Sequence, residues 1–297
     1  MPFGGSVAGY RIVVAGPAFL LDLISTSATT GFSTRKIASA YAGSALRVRR
    51  SSDNAEQDIG FVSNDLDTAS MTTFVGANNG FVVTWYDQSG NGRDLTQATA
   101  ANQPQIVASG TVDTTINSKP TIHFIVGSST MLQSSISVGP GGANIWTSAY
   151  TSCCITQITN FSTPGALYNA PLVQDSNGYT YTCSTQIAAN GFMSGLYNDA
   201  SPAVVTGSTA TNYVVMGKGS GSTYNVYANG GIGGSAAQVA SLNASAGFLR
   251  IGQGFGTPTL DGYISEVLTY ATNLSSSDLN LLGANMATRA GTTWSTI

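Results

Sequence analysis

Charge is what this chain has least of. Asp, Glu, Lys and Arg make up 8% of its 297 residues, against about 25% in an ordinary soluble protein. With a formal net charge of −3, it has no basic field for nucleic acid and no polybasic patch for an anionic membrane. No unbroken apolar run approaches the roughly 18 residues of a spanning helix. Cys153, Cys154 and Cys183 are too few for a disulfide framework. His123 is the one histidine and no G-x-S-x-G elbow accompanies it, so a Ser-His-Asp hydrolase is not expected. His, Cys and carboxylates are not clustered, so neither a metal nor a cofactor is expected. Glutamate is reduced to Glu56 and Glu266.

The missing charge is replaced by Ser, Thr, Asn and Gly. Hydrophobic residues remain at 42%, enough for a sizeable core. From "QDIGF" to "VLTYAT" the chain reads as short alternating runs parted by Gly, Asn, Ser and Pro, the pattern of an all-β sandwich or barrel. "GFVVTWYD", "KPTIHFIV", "NYVVMGKG", "YNVYANG", "GFLRIGQG" and "DGYISEVLTY" are the clearest strands. Two short helices are expected, near 33–42 with Ser33 or Thr34 as cap, and at 276–289 with Leu279, Leu282 and Met286 on one face. Ile12–Leu23 imitates a signal h-region. Only Arg11 precedes it, Pro17 interrupts it and Asp22 lies inside it, so it reads as part of an N-terminal extension of an unsecreted chain. The expected organisation is an extension over 1–30 and one β domain over 31–297.

The most individual stretch is "TWYDQSGNGRDLTQATAANQPQIV". A strand delivers Asp87 to its end, Gly90 and Gly92 supply positive φ, and Asn91 tolerates it. The Asp87 carboxylate is expected to accept hydrogen bonds from the turn's own N–H groups. Convergence of Asp87, Asn91 and Asp94 on a calcium ion is the weaker alternative.

"AYAGSALRVRRSSDNAEQDIGF", "WYDQSGNGRDLTQATAANQPQI" and "SKPTIHF" resemble the catalytic module of fungal glycoside hydrolase family 54 α-L-arabinofuranosidases. They resemble still more the concanavalin A-like (laminin G-like) jelly-roll proteins of tailed bacteriophages. The similarity covers about 31–135 and returns weakly at 248–290. It implies a jelly-roll sandwich of antiparallel strands. It also implies a catalytic Glu in the central part of the module and an acidic Asp in the Gly-rich segment before the last strands, near Gly254. No Glu lies between residues 57 and 265 and no carboxylate stands beside Gly254, which leaves Asp175 and Asp199 as substitutes outside any family motif. The family's vicinal disulfide has a counterpart in Cys153–Cys154, read here as two small apolar residues of a buried strand.

These readings lead to the expectation of a non-enzymatic bacteriophage virion protein, a capsid decoration or a head or tail fibre, with no catalytic residues. Residues 1–30 would anchor or oligomerise it. Its partners would be capsid or tail proteins, its own copies (a trimer favoured) and host polysaccharide; its location would be the virion, assembled in the host cytoplasm. The alternatives are an arabinofuranosidase-like hydrolase with displaced carboxylates and a free carbohydrate-binding module. Glu266, on a strand face read as shared with Ile264 and Leu268, is expected to be buried and paired with Arg47 or Arg49. Tyr179, Tyr181, Tyr197 and Tyr224, with Tyr213 and Tyr227 nearby, are candidates for glycan or interface contact.

Overall fold

The computed structural model describes residues 19–125, 128–134, 149–160, 171–175, 180–186, 191–196, 203–231, 233–237, 249–252 and 260–297. Within them the chain is an antiparallel β-sandwich, as its alternating pattern predicts. A network of 19 strands folds over on itself, and a two-stranded hairpin stands apart.

The front sheet runs β3 (Glu56–Ile59), β2 (Leu46–Arg50), β6 (Gly80–Trp85), β7 (Leu95–Thr96), β11 (Leu132–Ser134) and β20 (Leu249–Ile251). It continues through β13 (Pro171–Asp175), β14 (Thr180–Gln186), β15 (Gly191–Leu196) and β16 (Ala203–Thr206). The back sheet centres on β21 (Gly262–Tyr270). Along one edge of β21 lie β1 (Thr30–Ser33) and β10 (Ile122–Phe124) in succession. Along its other edge follow β12 (Tyr150–Ile158), β17 (Asn212–Gly219), β18 (Thr223–Ala228) and β19 (Gly234–Ala237). β8 (Gln105–Ala108) bonds both β6 and β10 and so joins the sheets, with β9 (Thr111–Val112) at its edge. β4 (Phe61–Val62) and β5 (Asp65–Leu66) form the separate hairpin.

Two apolar layers follow from this arrangement. Between the sheets, Leu46, Val48, Trp85, Leu95, Leu132 and Ile251 of the front meet Phe32, Phe124, Ile158, Val215, Tyr224 and Val267 of the back. On the outer face of the back sheet, Ile155, Val214, Leu268 and Tyr270 are covered by α2 (Ser276–Ala290) and by a 3-10 turn at Leu20–Asp22. The sequence accounts for α2 well. The Ser275 hydroxyl accepts from the Asp278 N–H, Leu279, Leu282, Met286 and Ala290 form the buried stripe, and Gly291 closes the helix in the left-handed region. The outer face of the front sheet carries no helix among the described residues.

Three local expectations are corrected. Residues 33–42 form no helix: Thr30–Ser33 is β1, and the segment after it spends its backbone on neighbours, with Leu21 N–H on the Ile37 carbonyl and Lys36 N–H on the Asn64 carbonyl. The other helix is α1 (Thr68–Val75), capped by Asp67 through the Ser70 N–H. Finally, Glu266 does not share a face with Ile264. β21 carries one extra residue, Ser265, against β12, where Ile155 opposes Glu266 and Thr156 opposes Ile264. This bulge sends Ile264 into the core between the sheets and leaves Glu266 on the side of Leu268, beneath α2.

Candidate functional site

The turn after β6 is a structural bracket. Asp87 is buried, and its Oδ1 accepts from the Gly31 and Ser89 N–H groups while its Oδ2 accepts from the Ser89 hydroxyl and the Arg93 N–H. Oxygens turned onto donors in this way do not face a cation, which disposes of calcium at Asp87; the Asn91 amide donates to the Ala28 and Thr29 carbonyls. Gly90 and Gly92 adopt φ of 85° and 67°, and Asn91 is not among the positive-φ residues. Gln88, Gln97 and Gln103 are buried amides whose N–H groups donate to backbone carbonyls: Gln88 to Ser33 and Arg35, Gln97 to Met131, Gln103 to Gln97. The most recognisable segment of the sequence therefore holds loops together.

The polar face lies elsewhere, on the outer side of the front sheet, where the segment 100–103 packs over Arg49 and leaves Arg47 and Asp58 exposed. Cross-strand register places Asp58, Arg47, Thr84, Thr96, Gln133 and Arg250 side by side on β3, β2, β6, β7, β11 and β20. Directly opposed residues share a face, so these side chains form one row, spaced by roughly 4.8 Å per strand. Arg47 holds Asp58 in a bidentate pair at 2.8 and 2.8 Å, and the Arg250 Nε donates to the Gln133 amide oxygen at 2.7 Å. Arg49 lies on the same face, stacked 4.9 Å from the Phe81 ring centre and bonded to Gln103 and Asn54.

At one end of the row a cluster of acids and tyrosines gathers. The Tyr86 hydroxyl donates to Asp58 at 2.7 Å, and Asp94, one step beyond the Trp85–Leu95 pair, accepts the Asp87 N–H at 2.8 Å. The two carboxylates are pushed apart in acidity. Asp58 is held below the ordinary carboxylate range, first by its bond to Arg47 and, against burial, also by Tyr86. Asp94 is raised, first by burial and then by the Asp87 charge, against the pull of the Asp87 N–H. Tyr41 is pushed up to about 12 by burial and then by the charges of Asp94 and Asp87, with Tyr86 and Asp58 adding to them. Beside Tyr41, against the bracket at Gln88, Ser89 and Gly90, opens a groove of about 400 Å³.

Several expected residues are placed differently. Glu266 is fully buried as expected, yet its partner is Arg35, at 2.8 and 3.0 Å, with Ser33 donating to the same carboxylate. Arg47 and Arg49 cannot reach it because they lie on the outer face of the opposite sheet. Tyr224 is a fully buried core residue, which removes it from the glycan contacts. Tyr213 packs edge-on against Phe192 and Tyr227 packs against the layer under α2. Tyr179, Tyr197 and Asp199 lie outside the described residues, as do the side chains of Tyr181, Asp175 and Cys183. Cys153 and Cys154 occupy successive positions of β12 and face different layers, the first under α2 and the second between the sheets. His123 stacks on Tyr263 at 4.3 Å. Sequence reading missed Tyr41, Tyr86, Asp58 and Arg35, for which no local spacing signals a site.

Comparison with known proteins bears on what this fold serves. The family described as "Alpha-L-arabinofuranosidase B, catalytic" matches residues 24–153. A probable α-L-arabinofuranosidase B of Aspergillus flavus is 36% identical over 97 residues, which is 32% of this chain and 19% of the relative. An α-L-arabinofuranosidase of Hypocrea jecorina is 34% identical over 96 residues, with the same shares. The chain thus spans about a fifth of the length of these curated relatives. Among solved structures, a GH54 α-L-arabinofuranosidase soaked with a cyclic sulfate inhibitor superimposes with a TM-score of 0.65 at 15% identity, covering 92% of this chain and 65% of that one. A Glu-to-Gln mutant of a GH54 enzyme soaked with 4-nitrophenyl α-L-arabinofuranoside gives 0.66 at 16% identity, with the same coverage. The chain is a jelly roll related to the GH54 catalytic module. These findings overturn the expectation of a non-enzymatic bacteriophage virion protein: the likenesses are to glycoside hydrolases, and nothing in them points to a capsid, a fibre or a phage.

Proposed function

We propose that this domain is a glycoside hydrolase of the arabinofuranosidase type, meeting its sugar on the open face of the front sheet. The observation that carries the reading is the match of residues 24–153 to the arabinofuranosidase catalytic family, within a chain of which 92% follows the GH54 fold. Neutral hydroxyl- and amide-rich side chains suit a neutral glycan. The chain departs from the family where the resemblance implies carboxylates; of its two glutamates Glu266 is locked against Arg35, and Glu56, opposite Arg49 on β3, stands further from the Asp94 and Tyr86 cluster than Asp58 does. Hydrolysis would therefore run on aspartates.

Asp94 and Asp58 fit the two roles. Glycoside cleavage needs one carboxyl group protonated to give its proton to the leaving oxygen, and one ionised to attack the anomeric carbon or to take a proton from water. Environments that drive two acids apart in acidity assign those roles. Raised Asp94 is the proton donor; Asp58, kept ionised by Arg47 and Tyr86, is the base or nucleophile.

Release of 4-nitrophenol from 4-nitrophenyl α-L-arabinofuranoside tests this. Turnover by the purified chain, lost in Asp94→Asn and Asp58→Asn variants that keep the wild-type circular dichroism, is the expected result. No release from a panel of nitrophenyl furanosides and pyranosides would overturn the reading. Turnover unaffected by both variants would overturn the assignment of these two aspartates.

A further inference from the structure

A second polar cavity lies where the end of β1, the tip of the β4–β5 hairpin and α2 converge. It has a volume of about 220 Å³, and Arg35, Lys36, Asn64, Asp65 and Arg289 line it beside Phe19 and Leu20. In a chain of net charge −3, this is a concentration of cations. Arg35 answers the buried Glu266; Arg289 and Lys119 share the single carboxylate of Asp65. Among the described residues Lys36 has no ion pair, and it stands 5.5 Å from the centre of the Phe19 ring. Three cationic side chains, Arg35, Lys36 and Arg289, thus line the hollow against the single carboxylate of Asp65, which leaves an excess of positive charge around it.

The site is rigidly built. The hairpin tip turns through Ser63 and Asn64, both at positive φ (50° and 71°), a geometry that favours Asn and Gly over Ser. It is tied to the lining by the Lys36 N–H on the Asn64 carbonyl at 2.8 Å and by an isolated backbone β-bridge between Arg35 and Asp65. The Arg289 side chain is only 6% exposed. Burial pulls its pKa below the usual guanidinium value, against the opposing effect of Asp65. An anion in the cavity would relieve that cost, since a buried charge needs a partner. Guanidinium groups held by their carboxylate partners beside the Lys36 ammonium suit a planar or tetrahedral oxyanion.

We infer that this cavity binds a small oxyanion, the carboxylate, sulfate or phosphate group of a ligand, held by Lys36 together with the Arg35 and Arg289 guanidinium groups. It is a different site from the sugar-facing sheet and does not depend on hydrolytic activity. Titration calorimetry and thermal unfolding with millimolar sodium sulfate, sodium phosphate and sodium glucuronate test it, with sodium chloride at matched ionic strength as the control. Saturable heat and a saturable rise in Tm with at least one of the oxyanions are expected, with chloride inert. Lys36→Glu should weaken binding at least tenfold while leaving the fold intact, because the Lys36 side chain gives up only its position over the Phe19 ring; Lys36→Gln should do so more mildly. Glucuronate binding more tightly than the inorganic ions would identify an acidic sugar, the reverse order a free phosphate or sulfate. A response that fails to saturate, or that is the same in wild type and both variants, would overturn the inference.

Discussion

Glu266 and Arg35 meet through two hydrogen bonds, at 2.8 and 3.0 Å, with the glutamate fully buried beneath α2. The pair joins β21 to the segment leaving β1, and Asn285 of α2 accepts from the same guanidinium at 2.8 Å. Sheet and covering helix are thus fastened by one charge. Breaking a buried pair from one side costs about 3–5 kcal/mol, because the remaining charge is left without a partner. Glu266→Ala and Arg35→Ala should each lose that much in urea unfolding at neutral pH. The double variant Glu266→Met with Arg35→Met should lose less than the sum of the singles; strict additivity would mean that the pair contributes nothing as a pair.

Asp87 should be as sensitive, for a different reason. Its carboxylate satisfies three backbone N–H groups and one hydroxyl in a buried turn. Asp87→Ala strands those donors and should cost at least about 3 kcal/mol. Asp87→Ser, with a single short acceptor, should recover only part of it. A denaturation midpoint within error of wild type for Asp87→Ala would contradict the bracket.

Acid should weaken the fold between roughly pH 4 and pH 2. Asp53 is lowered to about 2 by its bond to Arg50, and Asp58 and Asp67 are lowered by Arg47 and by Ser70 respectively. Burial raises Asp65, but Arg289 and Lys119 together outweigh it and leave it lowered. Each binds its proton more readily in the unfolded chain, so its stabilisation is complete above the unfolded value and is lost as pH falls through the folded one. Raised Asp94 and Asp261 act in the opposite sense but are fewer. Tm measured from pH 5 to pH 2 should fall, and less steeply in high salt, since the Arg47–Asp58 and Arg50–Asp53 pairs are solvent-accessible.

The same two aspartates predict the shape of the pH–rate profile. Asp58 must be ionised and Asp94 protonated, so kcat/KM should peak in the acidic range, between the lowered value of the first and the raised value of the second. Arg47→Met should release Asp58 upward and move the acidic limb to higher pH. An alkaline limb that persists in Asp94→Asn would show that another group donates the proton.

Much of the architecture is written locally. Alternation marks β6, β17, β18 and β21, and Ser275 with Gly291 brackets α2. α1 is harder to see because Thr and Val are indifferent helix formers and Asp67 is its main local signal. The partner of Glu266 is not legible at all: one bulged residue, Ser265, decides which layer the carboxylate enters, and alternation cannot register an extra residue. The polar row is equally hidden, since its six members come from six strands scattered between residues 47 and 250. The family-like turn misleads in the other direction. Its buried glutamines and Asp87 are individual in sequence because many loops converge on them, and that individuality marks the frame.

β6 contains a second irregularity. Arg47 opposes Thr84 and Val48 opposes Val82, so Val83 is surplus to the ladder with β2, while its carbonyl accepts the Gln97 N–H on the other edge. Without it Thr84 would still look outward and Trp85 inward, because the inward set of Val82 and Trp85 would simply close to regular spacing. Val83 therefore alters how strongly the sheet bends and not which side chains it displays. Contour and display are set by different residues in this sandwich: shortening β6 by a single amino acid would flatten the sheet and take from the Gln97 N–H its acceptor, while Thr84 kept its outward and Trp85 its inward aspect.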